Sequence, residues 1–125
     1  MQIEVSNGEI VDKITILKIK SEKITDEVKL KNVNTELNIL LPLLDIIGIA
    51  EDSIEFTELF DLNHRLWVIE DKLRLMEKEK KFDNEFIDFA RLVYYTNDKR
   101  FKVKSRINKI TNSQIIEEKE YHKYD

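Results

Sequence analysis

Cysteine does not occur among the 125 residues, proline occurs once and glycine twice. Without thiols, a disulfide framework, thiol catalysis and thiolate-bound zinc are excluded. Two histidines, His64 and His122, are too few for a histidine-rich metal centre. Many-stranded sandwiches, barrels and doubly wound sheets turn on glycine and proline, and three such residues cannot supply those turns. Long hydrophobic runs are missing too. The longest, Ile39 to Ala50, is interrupted by Pro42, Asp45 and Gly48 and falls short of the ~20 residues a membrane span needs. The opening MQIEVSNGE has no basic segment followed by an apolar core, so no signal peptide is expected and the setting read from it is cytoplasmic.

What the chain has in quantity is charge. Charged residues make up 37% of it and hydrophobic ones 42%, with a net charge of −4. The charged share is well above the ~25% of average proteins, a profile that suits long amphipathic helices. One all-α domain over residues 1–125 is expected, four long helices arranged as two antiparallel hairpins in a bundle. Residues 1–5, with Met1, Ile3 and Val5 alternating, read as a short strand or an extended lead-in.

The helices announce themselves by their ends. Ser6-Asn7-Gly8-Glu9 reads as a capping box, Ser6 and Glu9 each satisfying the other's backbone N–H. The first helix follows over about 7–24, with Ile10, Ile14, Leu17 and Ile24 on one stripe. Asp26 caps the second, whose stripe is Leu30, Val33, Leu37, Leu40, Leu41 and Leu44. Pro42 must kink or restart it, and Gly48 supplies a left-handed stop. Asp52-Ser53-Ile54-Glu55 opens the third helix, with a seam of Leu59, Leu62, Leu66, Ile69, Leu73 and Met76. Asp83 caps the fourth, which carries Phe86, Phe89, Ala90, Val93, Phe101 and Ile107 to about 111. Residues 114–125 read as a short helix, a strand against residues 1–5, or a tail. Val28, Ile39, Leu43 and Ile46 lie opposite the second helix's main stripe. A helix apolar on both sides needs cover on both, and a second copy of the chain would provide it.

Two constellations could carry chemistry. Arg91 to Lys109 holds seven basic residues against Asp98 alone, and Arg91, Lys99, Lys102, Arg106 and Lys109 share one outer helix face. A solvated face, neutralised by the acidic third helix, is the bland reading; a phosphate-binding stripe is the sharp one. The second constellation is polar residues on faces that ought to be core. Asn97, Arg100 and Lys104 fall within the apolar arc of the fourth helix, while Asn63, Glu70 and Glu77 border the third helix's seam. In a hairpin turning near residue 82, Glu70 faces Tyr94, Asn63 faces the Arg100 level, and Glu77 lies a turn from Arg91. Such groups inside a bundle need internal partners or a ligand, because an unpaired buried charge costs several kcal/mol. Lys13 and Lys20 of the first helix flank the same layer. The sharp reading is a small anionic ligand held by Lys13, Arg100 and Lys104, with Glu70 as orienter or base and Asn63, Arg91, Tyr94 and Asn97 around it. The bland one is a network that fixes helix register.

Other motifs add little. Glu55-x-x-Glu58 and Glu85-x-x-Asp88 match the spacing of magnesium-binding all-α nucleotide pyrophosphatases, but the pairs fall at opposite ends of the hairpin. Trp67 and His64 lie off the third helix's seam, Trp67 as packing and His64 as surface. No P-loop, GxGxxG, GxSxG or HExxH occurs, and neither metal nor cofactor is expected.

The words VSNGEIVDKITILKIK, KLKNVNTEL, LNHRLWVIEDKLRLME, FDNEFIDFARLVYYTNDKR and INKITNSQIIEEKEY, in that order, resemble a family of small all-helical bacterial and phage proteins classed as a domain of unknown function. That resemblance implies a helical fold and a setting near surface-glycan biosynthesis genes; it carries no catalytic residues. The leading functional reading is a non-enzymatic helical interaction module that self-associates. The alternatives are a small anionic-ligand binding protein or enzyme using the polar layer, and nucleic-acid binding through the basic helix face.

Overall fold

The computed structural model describes residues 1–124. Asp125, the end of the expected tail, lies outside the described residues. Five helices follow in order: α1 Asn7–Lys23, α2 Glu27–Leu40, α3 Leu43–Ile47, α4 Ile54–Lys78 and α5 Asn84–Ile110. The architecture is an all-α bundle of four long helices, with α1 paired to α2 and α4 to α5. α3 is the restart after Pro42, a single short turn of helix closed by Gly48 at φ 89°. No strand forms among the described residues, and residues 1–5 are exposed lead-in. None of the described helices is long and apolar enough to cross a membrane.

Each long helix starts where side-chain chemistry starts it. The side chains of Ser6, Asp26, Ser53 and Asp83 accept from the backbone N–H three residues on, at 3.2, 2.9, 3.2 and 3.1 Å. That removes one orphan donor from each first turn. The expected reciprocal half of the Ser6 box does not form. The Glu9 carboxylate turns instead to Lys104, meeting a full positive charge in place of a backbone N–H.

α4 ends on a residue that is not glycine. Lys80 adopts φ 57°, and Lys81 N–H reaches back to the carbonyl of Met76 at 2.9 Å. A left-handed L-residue is strained by roughly 1–2 kcal/mol, and glycine is relieved of that. Lys80→Gly is therefore expected to stabilise the fold by about 0.5–1 kcal/mol after its extra unfolded-state entropy is subtracted. Urea denaturation of the two proteins checks this; equal or lower stability of the variant contradicts it.

α1 is the central helix. It packs against α2 on one side and against both α4 and α5 on the other. Its buried apolar residues are Val11, Ile14, Leu17 and Ile19, so two faces are covered and Ile10 and Ile24 are only half-buried. Val11 and Ile14 join Leu44, Ile49, Phe56, Leu59, Leu62, Val103 and Ile107 in the core. α2 has no fully buried residue. Val28, Ile39 and Ile46 are exposed, as their placement opposite the main stripe implies, while Leu43 is half-buried.

Helix lengths set the shape of the rest. At 1.5 Å per residue, α1 spans roughly 25 Å, while α4 and α5 run to roughly 40 Å. The hairpin thus outruns α1, and Leu75, Phe82, Ile87 and Leu92 in its distal half are largely exposed. Beyond α5, residues 114–124 are neither helix nor strand. They run back along α5: Glu117 at Lys104, Lys119 over the Phe101 ring at 5.1 Å, and Tyr124 against Tyr94 and Tyr95.

Candidate functional site

The polar layer is built on α1. Gly8, Asp12, Thr15 and Ile19 recur at spacings of four and three, so they share a helix face, and all four are buried. Asp12 is 1% exposed. Its carboxylate accepts from Arg100 in fork geometry, Nε to Oδ1 at 2.8 Å and NH2 to Oδ2 at 2.5 Å. Asn63 of α4 donates to the same Oδ1 at 2.8 Å and to Thr15 Oγ1 at 2.9 Å. Thr15 in turn donates to the Asp12 carbonyl at 2.7 Å. Three helices therefore meet on one buried carboxylate. A carboxylate at this depth is tolerable only with a bidentate cation and further donors, and it has both. The hydrogen bond to Asp12 holds the Arg100 guanidinium above its ordinary value, against the opposing effect of burial.

One turn earlier, the start of α1 is locked to the end of α5. The Gly8 N–H donates to Asn108 Oδ1 at 2.6 Å and the Asn7 N–H to Ser113 Oγ at 3.0 Å. Lys104 Nζ pairs with Glu9 at 2.6 Å and approaches Glu117 at 3.8 Å. Gly8 has no room for a side chain, since a Cβ there would lie 2.5 Å from the Lys104 carbonyl oxygen.

Beside this layer lies a cleft of about 290 Å³ between α1, α4 and α5. Ile16, Ile19, Leu66 and Trp67 form its apolar walls, and Lys20, Asn63, Glu70, Asn97 and Arg100 bring polar groups to it. Lys20 and Glu70 have no ion-pair partner within 4 Å among the described residues, and the Asn63 Oδ1 accepts no hydrogen bond. A shallower groove of about 670 Å³ runs between α5 and the tail, lined by Tyr94, Asp98, Tyr121 and Tyr124 among others.

The hairpin's other face is open along its length. On α4, Glu58, Asp61, Arg65, Val68, Lys72 and Leu75 follow each other at three and four residues; on α5, Leu92, Lys99, Lys102 and Arg106 lie beside them, and all ten are exposed. Glu58, Asp61, Arg65, Lys99, Lys102 and Arg106 bound a groove of about 370 Å³. Glu58 pairs with Arg106. Arg65, Lys99 and Lys102 have no acidic partner within 4 Å among the described residues.

Of the residues singled out from sequence, the fold collects Lys20, Asn63, Glu70, Asn97 and Arg100 at the cleft. The others lie elsewhere. Lys13 points away and pairs with Glu36 of α2 at 3.3 Å. Lys104 faces Glu9 and the tail. Arg91 is exposed over the Tyr95 ring, and Tyr94 packs on Tyr95 and Tyr124. Glu77, expected near Arg91, pairs with Lys80. Asp12, the residue that organises the layer, is not in that set; it shares a face with Gly8, Thr15 and Ile19, but only the contact with Arg100 marks that face as the layer's centre. Among the described residues no group of three or more His, Asp or Glu side chains is arranged to hold a metal ion. Glu55/Glu58 and Glu85/Asp88 sit at opposite ends of the hairpin.

The chain belongs to a family of unknown function (DUF6165), whose model matches residues 1–124. No curated protein and no solved structure matches it.

Proposed function

We propose that this protein is a non-enzymatic helical interaction module that pairs with a second copy of itself through the open face of the α4/α5 hairpin. The carrying observation is the make-up of that face: Glu58 and Asp61 towards one end of α4, Lys99, Lys102 and Arg106 on α5, and Val68, Leu75 and Leu92 exposed by 38, 55 and 44%. A twofold axis along the hairpin lays α4 of one protomer on α5 of the other. Glu58 and Asp61 then approach the partner's Lys102 and Lys99, and the leucines of the two copies meet in the distal half. Such a face, about 40 Å by 20 Å, offers roughly 800 Å² per protomer, the size of a standard specific interface. Val28 and Ile39 on α2 make a weaker case, being about 16 Å apart with Asn32 and Thr35 between them.

Sedimentation velocity tests the reading. The wild type is expected to dimerise at micromolar concentration and to weaken as salt screens the charge rows. Leu75→Glu with Leu92→Glu is expected to raise the dissociation constant by about 100-fold or more, since each leucine is buried twice in a symmetric dimer. The circular dichroism and melting temperature of the monomer should stay unchanged. A wild type that remains monomeric at millimolar concentration, or a double variant that dimerises as well, contradicts the proposal. Tight, salt-sensitive binding of RNA or DNA by the monomer would assign the lysine row to phosphates instead.

A further inference from the structure

We propose that the cleft between α1, α4 and α5 binds a small zwitterion, a free α-amino acid with an apolar side chain. The argument rests on which charges in the cleft are already spent. Arg100 is neutralised by Asp12 through two hydrogen bonds, and Lys104, one turn further along α5 and not among the lining residues, by Glu9. An anion entering the cleft therefore finds no cluster of free cations. What remains is one ammonium, Lys20 on α1, and one carboxylate, Glu70 on α4, lining the same cavity without touching. A ligand that satisfies both must carry both signs itself.

The neutral polar atoms agree with that division. Asn63 is 5% exposed, and its amide orientation is set by chemistry. The Thr15 hydroxyl spends its proton on the Asp12 carbonyl and the Asp12 carboxylate has none to give, so both accept from Asn63 Nδ2. Asn63 Oδ1 is left as an acceptor open to the cleft, without a donor among the described residues. It stands with Glu70 as a receiver for an ammonium group. On the donor side, Arg100 NH1 makes only a long contact of 3.4 Å to Asn97 Oδ1, and the Asn97 amide N–H groups have no partner among the described residues. These join Lys20 as donors for a carboxylate. The volume of about 290 Å³ holds a molecule of amino-acid size and little more. Ile19, Leu66 and Trp67 supply a wall for its side chain.

Trp67 is the only tryptophan in the chain, so its fluorescence reports occupancy directly. Titration with L-leucine and L-phenylalanine is expected to give a saturable change. N-acetyl-L-leucine, which lacks the ammonium, and L-leucinamide, which lacks the carboxylate, should each bind at least 10-fold more weakly. Glu70→Gln is expected to weaken L-leucine about 10-fold while leaving the melting temperature nearly unaltered, because Glu70 is exposed and has no ion-pair partner within 4 Å among the described residues; Lys20→Gln should do the same. The proposal is overturned if none of L-leucine, L-phenylalanine and L-valine perturbs Trp67 up to 20 mM. It is equally overturned if N-acetyl-L-leucine binds as well as leucine, which would mark an anion site, or if only an uncharged probe such as glucose saturates.

Discussion

Arg100→Met is expected to destabilise the protein by about 3–5 kcal/mol, the cost of stranding a buried carboxylate. Asp12 is 1% exposed and its carboxylate accepts three hydrogen bonds, one from Asn63 and two from Arg100. With the guanidinium gone, the charge has nothing but the Asn63 amide to stabilise it. The carboxyl must then take up a proton or draw water into the core. Chemical denaturation monitored by circular dichroism measures the loss. A second variant separates charge stranding from loss of packing. Asp12→Leu combined with Arg100→Met removes both charges, and replacing a buried ion pair by apolar groups is often close to neutral. The double variant is therefore expected to recover most of the stability that the single one loses. A double variant as unstable as Arg100→Met would show that the pair is not the source of the effect. The same comparison informs the cleft, whose Arg100 edge survives in neither variant while Lys20 and Glu70 survive in both.

Gly8→Ala is expected to cost about 2–3 kcal/mol, a large-side overpacking penalty with the opposite sign from the usual helix rule. Inside a helix alanine is ordinarily better than glycine by about 1 kcal/mol. Here the added methyl would sit 2.5 Å from the Lys104 backbone oxygen and 3.0 Å from Asn108 Oδ1. Backbone cannot swing aside as a side chain can, so α1 must move away from α5. That displacement also stretches the Gly8 N–H bond to Asn108 and the Glu9–Lys104 pair. Thermal unfolding of the variant reads the sum. A melting temperature at or above that of the wild type would mean the helices are not held this close in solution.

The local grammar of the chain was legible because it depends on neighbours a few residues away. Ser6, Asp26, Ser53 and Asp83 open their helices through hydrogen bonds three residues long, and Gly48 closes α3 with a left-handed conformation that other residues resist. The pairing of α4 with α5 followed from a short turn and two clear seams. Asp12 was not legible in the same way. A carboxylate inside an apolar helix is ordinary at a surface, and only contact with Arg100, 88 positions on, makes it the centre of a network. The stripe on α1 was misjudged for a related reason. A helix covered by one neighbour buries one face, but α1 is covered by three, and Val11 and Ile19 are as buried as Ile14 and Leu17. Asn63, Glu70, Asn97 and Arg100 were visible as polar groups out of place on apolar arcs. Their common cleft depends on the angle at which α1 crosses the hairpin, which no spacing along one helix encodes.

The docking of α1 also has a consequence in time. Ser6, Gly8 and Asp12 find their partners at Glu117, Asn108 and Arg100, separations of 111, 100 and 88 residues. Synthesis delivers α1 well before those partners. The α1/α2 and α4/α5 hairpins, whose contacts are local, can each assemble before α1 docks on α5. Docking of α1 on α5 thus waits for residues 100–117, and a nascent chain stalled before residue 100 carries a helix with two prepared faces and only one of them fully met.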